Sequence, residues 1–346
     1  MSKMLEANSL TVIVPAYNEQ ANIADTLHSL QAQTTPPATI IVVDDCSTDE
    51  TGALARARGV TVIRPPKNTG SKAGAQTFAL SAVRTPLVMA LDADTILAPD
   101  AIEKILTAFD TPDVAAACGL VLPRYVRTIW ERGRYVEYLL AFSFYKPIQN
   151  YFEKPMIASG CFSAYRTDAL REVGGWSART LAEDMDLTWT LYGRGYRVRF
   201  VADAVCYPIE PSSLPLMRKQ LRRWSHGFAQ NVQLHWRTVL DVPMLRWFVA
   251  VAFVDATFSS LYYLLLLPLL AVAFAAPLLL LLYAIDVTMI LVPVLYQAAS
   301  RGETLRALAS VPSFLPLRLV NSFYFLEAVW SELLRGRSLR VYEKGH

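Results

Sequence analysis

The sequence predicts a doubly wound α/β domain followed by interfacial and transmembrane helices. Three observations predict it. Short Ile/Val-rich runs alternate with helix-length segments over residues 9–92, the pattern of a parallel sheet with helices on both faces. The run Leu87-Val-Met-Ala-Leu-Asp92-Ala-Asp94 ends on two carboxylates, at the strand end where open α/β sheets place their ligands. After Trp247, apolar residues dominate to about Tyr296, long enough for two spans at ~20 residues each. The composition agrees: 53% of 346 residues are hydrophobic and 18% charged, with a mean hydropathy of +0.28, too apolar for an ordinary soluble protein.

In order, residues 9–15 read as a buried strand, and Asn18-Glu19 opens a helix to about Gln33. Residues 39–44 are a second strand, followed by a helix to about Arg58 and a short strand over 60–64. A loop over 65–71 leads into a helix from Lys72 to about Val83, and 87–92 is the fourth strand. Pro15-Ala-Tyr-Asn-Glu19 follows the first strand where a dinucleotide-binding domain would carry G-x-G-x-x-G. Between 113 and 207 the pattern is more mixed. Strands are expected at 114–121 and 156–165, aromatic-rich helix around 135–151, and helix again over 184–191. Residues 214–236 form a basic amphipathic helix of the kind that lies at a membrane surface. A third apolar stretch, 308–334, contains Arg318, Asn321, Glu327 and Glu332 and either spans or lies at the interface.

The domain organisation expected is a cytosolic catalytic domain over 1–212, interfacial helices over 213–245, two to three spans over 246–335 and a basic tail over 336–346. Residues 1–8 lack the apolar core of a signal peptide, which keeps the first domain in the cytosol. Three spans would put the tail outside, against the positive-inside tendency; two would keep it inside. Asp255 and Asp286 interrupt the apolar stretch, where acids face a polar path, another helix or the interface. The net charge of +3 indicates no nucleic-acid partner. Four cysteines (Cys46, Cys118, Cys161, Cys206) without C-x-x-C spacing suggest neither zinc nor a disulfide framework.

Several clusters can carry chemistry. Side chains on a strand alternate faces, so Asp92 and Asp94 point the same way, and two hard oxygen donors suit Mg2+ or Mn2+ carrying a phosphate. Two solvated loop acids are the alternative. Asp44-Asp45 can accept a hydrogen bond from a base N–H, and helix capping explains them equally well. Asn68-Thr-Gly-Ser-Lys72 opens a helix with small residues and one cation, which favours an anionic phosphate; an ordinary surface lysine is the alternative. Glu183-Asp184-Met-Asp186 is either a general-base cluster or favourable helix-start electrostatics. Gln220, Arg223 and Trp224, at i, i+3 and i+4, share one helix face. There a guanidinium can hold a diphosphate and an indole can stack on a sugar. Arg218, Lys219 and Arg222 form a solvated or headgroup-facing side, and His226 and His235 are structural or interfacial.

Taken together and in this order, the clusters resemble the membrane-embedded, inverting family-2 glycosyltransferases, which include cellulose, chitin, hyaluronan and poly-N-acetylglucosamine synthases. The resemblance runs from Val12-Ile-Val-Pro-Ala-Tyr-Asn-Glu19 through Val43-Asp-Asp45, Asn68 to Ala73, Asp92-Ala-Asp94 and Ser159-Gly-Cys-Phe-Ser-Ala-Tyr-Arg166 to Glu183-Asp184 and Gln220-Leu-Arg-Arg-Trp224. The stretch from Leu181 to Trp224 looks most like the poly-N-acetylglucosamine branch. The resemblance implies a GT-A fold and transfer from a UDP-sugar, UDP-N-acetylglucosamine first, to a growing β-linked polysaccharide. By matching position, Pro15, Ala16, Tyr17, Glu19, Asp44 and Asp45 would hold the nucleoside. Lys72, Asp92, Gln220 and Arg223 would serve the donor phosphates and ribose, and Asp94 the Mg2+ or Mn2+. Asp184 would be the base with Glu183 beside it. Gly160, Cys161, Phe162 and Trp224 would line the acceptor. It also implies a plasma (inner) membrane location, contact with membrane lipids, and a homo-oligomer or export partner to complete a channel. Two departures stand out: Ala182 occupies a position where many relatives have Thr, and there are few helices for a polymer channel. A single-addition glycolipid synthase, acting on a lipid acceptor, is therefore the alternative.

Overall fold

The computed structural model describes residues 9–340. Residues 1–8, the end of the basic tail (341–346) and the side chain of Asp286 lie outside the described residues. The chain divides into two compact units, one of residues up to 124 with 149–209, the other of 125–148 with 210 onward. The aromatic-rich stretch before residue 149 thus belongs to the second unit although it interrupts the first in sequence.

In the first unit, β1 (Leu10–Ala16), β2 (Thr39–Asp44), β3 (Thr61–Ile63) and β4 (Leu87–Leu91) pair in parallel in the order β3-β2-β1-β4. The near-continuous apolar runs of β1 and β4 are buried on both faces, which is why no polar alternation interrupts them. Beyond these four strands the sheet is mixed. It adds β5 (Ile96–Leu97), β6 (Val114–Val121), β7 (Phe162–Arg166) and β8 (Arg197–Tyr207) in the order β4-β7-β6-β8-β5. Strand β7 runs antiparallel to both β4 and β6, and β5 antiparallel to β8. This reversal has a functional consequence: the start of β7 pairs with the end of β4, Phe162 opposite Leu91. The chain just before β7 is therefore delivered beside Asp92.

Residues 156–161, expected as strand, are instead an irregular approach to β7, and only from Phe162 does the chain join the ladder. Phe162 is fully buried, its ring lying so close over Gly119 that a Cβ there would be 2.2 Å from Phe162 Cε1. It is a core side chain, which corrects the expectation that Phe162 lines an acceptor.

In the second unit, the helix Leu214–Leu234 carries Gln220, Arg223 and Trp224. Proline in its first turn suits a helix start, where the missing N–H has no intrahelical partner anyway. One face buries Met217 and Leu221 against Leu317 and Tyr324, with Trp130 and Val320 packed around them. The third apolar stretch is thus a packing partner of this helix. Its charges bind the same helix: Glu327 accepts from Arg222, Nη2 to Oε1 at 2.8 Å and Nε to Oε2 at 3.2 Å, and Glu332 meets His226 Nδ1 at 2.7 Å. Arg218 Nε donates to Tyr324 Oη at 2.7 Å. Arg218 and Arg222 thus have protein partners, while Arg218 and Lys219 are also exposed.

Among the described residues, two helices are long and apolar enough to cross a membrane: Pro243–Ala273, mean hydropathy 1.8 and 22% buried, and Pro277–Ser300, mean hydropathy 2.5 and 6% buried. Such exposed apolar surface is not that of a core helix in a soluble protein. In the first of them Asp255 lies 3.5 Å from Arg318 Nη2, which also donates to Ser259 Oγ at 3.0 Å.

Candidate active site

The first unit assembles four chain segments around one point. The segment before β7 is laced to the helix Glu183–Gly193 by successive hydrogen bonds. Tyr192 Oη donates to Pro155 O at 2.7 Å, Trp189 Nε1 to Met156 O at 2.9 Å, and Ala158 N to Thr188 Oγ1 at 2.9 Å. The last is Gly160 N–H to Asp184 Oδ2, at 2.9 Å. The other Asp184 oxygen accepts the N–H of Met185 at 2.8 Å. Its carboxylate is thus fixed in place by two backbone donors at the start of a helix, where the helix dipole favours negative charge.

Lys72 joins this point from the opposite side. The helix Lys72–Leu80 begins at Ser71, whose side chain accepts the Gly74 N–H, the usual N-cap arrangement. From its first position, Lys72 Nζ donates to Gly160 O at 3.0 Å, stands 3.6 Å from Glu183 Oε1 and pairs with Asp92. Asp92 N–H in turn donates to Cys161 O at 3.4 Å. Lys72, Asp92, Gly160, Cys161, Glu183 and Asp184 therefore border one place. Beneath it, burial first and the charge of Asp184 next push the Tyr165 phenol well above its ordinary range, so Tyr165 stays neutral.

Gly160 is a glycine for reasons of space. A Cβ at this position would lie 3.1 Å from Lys72 Nζ and 3.2 Å from Asp184 Oδ2, so the cation and the carboxylate would each have to give. Gly160→Ala is expected to lower turnover roughly tenfold, because sub-ångström misplacement of reacting groups is costly. Its thermal midpoint should stay near that of the parent, and paired steady-state assays and melting curves check both.

The acid pair at the end of β4 is built differently from the expectation. Strand β4 stops at Leu91, and Thr95 N–H donates to Asp92 O at 3.1 Å, so Asp92 to Thr95 form a turn. Strand alternation does not apply there, which corrects the argument that put both side chains on one face. Asp92 keeps 31% side-chain exposure, whereas Asp94 is 3% exposed and receives Thr95 Oγ1 at 3.1 Å. No cluster of three His, Cys, Asp or Glu suited to a metal occurs among the described residues. One or two carboxylates are what Mg2+ uses when substrate phosphates complete its shell, so the donor set fits a cation that arrives with a diphosphate.

At the end of β2, Asp44 is 1% exposed. Its Oδ2 pairs with Arg64 at 2.6 Å and its Oδ1 accepts Ser47 N–H at 2.9 Å. Asp45 accepts from Thr69 N at 2.8 Å and Thr69 Oγ1 at 2.9 Å, and Asn68 Nδ2 donates to Asp45 O at 2.7 Å. Neither acid caps the next helix, which begins at Thr51. Instead they tie the β2 turn to the loop before Lys72. Pro15 and Ala16 end β1, and Tyr17 beyond them is 45% exposed. Glu19 is buried and accepts from Asn22 Nδ2 at 3.0 Å. Asp186 is held by Arg179 at 2.6 and 2.8 Å and serves the fold.

Gln220, Arg223 and Trp224 stand in the second unit. There Gln220 Oε1 accepts from Arg134 Nη2 at 2.6 Å, and the Arg134 guanidinium lies 4.5 Å from the Trp224 ring centroid. Sequence reasoning missed Arg134. The signal within reach was Thr128-Ile-Trp-Glu131, a capping-box pattern that marks the start of its helix.

A mixed sheet of this topology, with acids and a lysine at the strand ends, is a fold of GT-A type. Residues 11–174 match the family model of Glycosyl transferase family 2, so that segment is similar to the family-2 glycosyltransferases. The chain is similar to the poly-beta-1,6-N-acetyl-D-glucosamine synthase of Staphylococcus aureus (strain COL), 28% identical over 226 residues that cover 64% of this chain and 55% of the relative. The enzyme of the same name from Staphylococcus epidermidis is 26% identical over 65% of this chain and 56% of the relative. The chain thus spans about half the length of the curated relatives it matches. Among solved structures, a mannosyltransferase from Pyrobaculum calidifontis, in complex with GDP-Man and Mn2+, shares the fold. Its TM-score is 0.63 at 20% identity, covering 94% of this chain and 87% of that one.

Proposed function

We propose that this protein is a membrane-bound, inverting hexosyltransferase that moves a sugar from a UDP-sugar, UDP-N-acetylglucosamine first, onto a growing β-linked polysaccharide. The observation that carries the reading is the junction at Gly160, whose N–H fixes Asp184 and whose C=O fixes Lys72. It supports one base beside one phosphate-binding cation. The acceptor O–H gives its proton to Asp184, and the oxygen forms a bond to the anomeric carbon. The bond from that carbon to the diphosphate breaks, and the nucleoside diphosphate leaves with the electron pair. Configuration inverts because attack comes opposite the leaving group, and no covalent nucleophile is needed. Lys72 offsets negative charge gathering on the diphosphate, an effect largest in the transition state. Asp94, with Asp92 beside it, would hold Mg2+ or Mn2+, which supplies Lewis-acid neutralisation of the same charge. Tyr17, Glu19 and Asp45 would frame the nucleoside, and Asp44 supports their loop through Arg64. Arg223 and Gln220 would meet the departing diphosphate, while Trp224, Gly160 and Cys161 would meet the acceptor.

The two long apolar helices support a bilayer setting with the first unit in the cytosol. The same observation favours a second reading. Only two such helices occur among the described residues, which suits single addition to a lipid acceptor as well as it suits a polymer path completed by a second copy or an export partner. The test is a nucleotide-release screen of the detergent-purified chain across UDP- and GDP-sugars, with and without chelator, followed by sizing of the product. A polymer ladder from UDP-N-acetylglucosamine that needs Mg2+ or Mn2+ is expected. One chloroform-soluble product would select the glycolipid reading, and no release from any sugar nucleotide would overturn both.

A further inference from the structure

We infer that Arg134 is a positioning residue for acceptor binding, setting Gln220 and Trp224 through one buried guanidinium; this rests on the proposed acceptor role of Trp224. Arg134 is 0% exposed, and its helix Ile129–Leu140 is started by the reciprocal Thr128–Glu131 capping box. Every side of the guanidinium is occupied. Nη2 donates to Gln220 Oε1 at 2.6 Å and reaches Met217 Sδ at 3.3 Å. Nε lies 3.3 Å from Glu210 Oε2, and Nη1 pairs with Glu137. The Trp224 ring sits 4.5 Å from its central carbon and the Tyr138 ring 5.6 Å. Burial opposes the charge, but Glu137 and Glu210 together hold it and keep the guanidinium firmly protonated. Tyr138 Oη completes the network by donating to Glu210 Oε1 at 2.7 Å.

The arrangement does more than fill space. Gln220 and Trp224, at i and i+4, lie on one helix face, and a single planar cation touches both. Trp224 nevertheless remains 37% exposed, so its indole is braced by the cation and still available to a ligand. Lysine cannot substitute. A point charge on a flexible stem lacks the fork that hydrogen-bonds Gln220 while its plane stacks on Trp224.

The experiment compares Arg134→Lys, Trp224→Phe and the double variant in the full-length chain, reading donor Kd, acceptor KM and kcat. Arg134→Lys keeps a positive charge for Glu137 and Glu210. It should raise acceptor KM about tenfold and weaken donor Kd less, through Gln220, and in the Trp224→Phe background its further effect on acceptor KM should fall below twofold. A merely structural role would give the same loss in both backgrounds, and that result, or parental acceptor KM in Arg134→Lys, would overturn the inference. Should Arg134→Lys fail to fold, Glu137→Gln loosens the guanidinium from its more exposed side. A smaller rise in acceptor KM is then expected, and no rise overturns the inference. If Trp224→Phe alone leaves acceptor KM unchanged, the acceptor role of Trp224 fails and the inference with it. A Trp224→Phe effect without an Arg134 effect removes the inference alone.

Discussion

Asp184→Asn is expected to cut turnover by about 10²–10⁴-fold, the contribution typical of a positioned general base, while donor affinity stays within about twofold of the parent. The split follows from the geometry. Both carboxylate oxygens accept backbone N–H groups, from Gly160 and from Met185. The amide keeps one acceptor but turns an NH2 toward the other donor, and it cannot take up the acceptor's proton. The donor, in our proposal held by Lys72 and the β1 and β4 loops, should be little affected. Single-turnover product formation with calorimetric titration of the nucleoside diphosphate measures the two quantities separately. Parental turnover in Asp184→Asn would remove this residue as the base.

Lys72→Met is expected to lower donor affinity and turnover together. Methionine preserves much of the apolar stem but removes the charge that faces Asp92 and Glu183 and bonds Gly160 O. Two acids would then face an incoming diphosphate with no compensating cation, so donor affinity should fall along with turnover. A loss of about 10²–10³-fold in kcat/KM for the donor is expected, comparable with removing one preorganised transition-state donor. Nucleoside diphosphate Kd should weaken in parallel. If Kd and kcat/KM both match the parent, Lys72 does not touch the phosphates.

The parts of the fold legible in the sequence were those specified locally. Strands β1, β2 and β4 are continuous apolar runs, and Lys72 begins its helix because Ser71 is a good cap. The residues at these strand ends could therefore be picked out one cluster at a time. What could not be read was set by pairing at a distance. Nothing in Phe162–Arg166 says that it runs antiparallel between β4 and β6, yet that choice brings Gly160 beside Asp92. Strand β8 begins with alternating Arg and apolar residues and passes through Asp203, so it lacks the buried-run signature of its neighbours. The Asp92–Thr95 turn looked like strand because the preceding residues are so uniformly apolar. Arg134 was invisible for a plainer reason: its partners stand at 210, 217, 220 and 224, and only the packed helices reveal that a cation can be buried among them. The partners of Arg218 and Arg222, Tyr324 and Glu327, stand about a hundred residues on and were equally out of reach.

The central claim is that one carboxylate, Asp184, drives a single displacement at the anomeric carbon. The anomeric configuration of the product bond, read by ¹H NMR coupling after transfer from an α-linked UDP-sugar, tests it most directly. A β-linked product is predicted. An α-linked product, or a sugar trapped covalently on the protein, would contradict it.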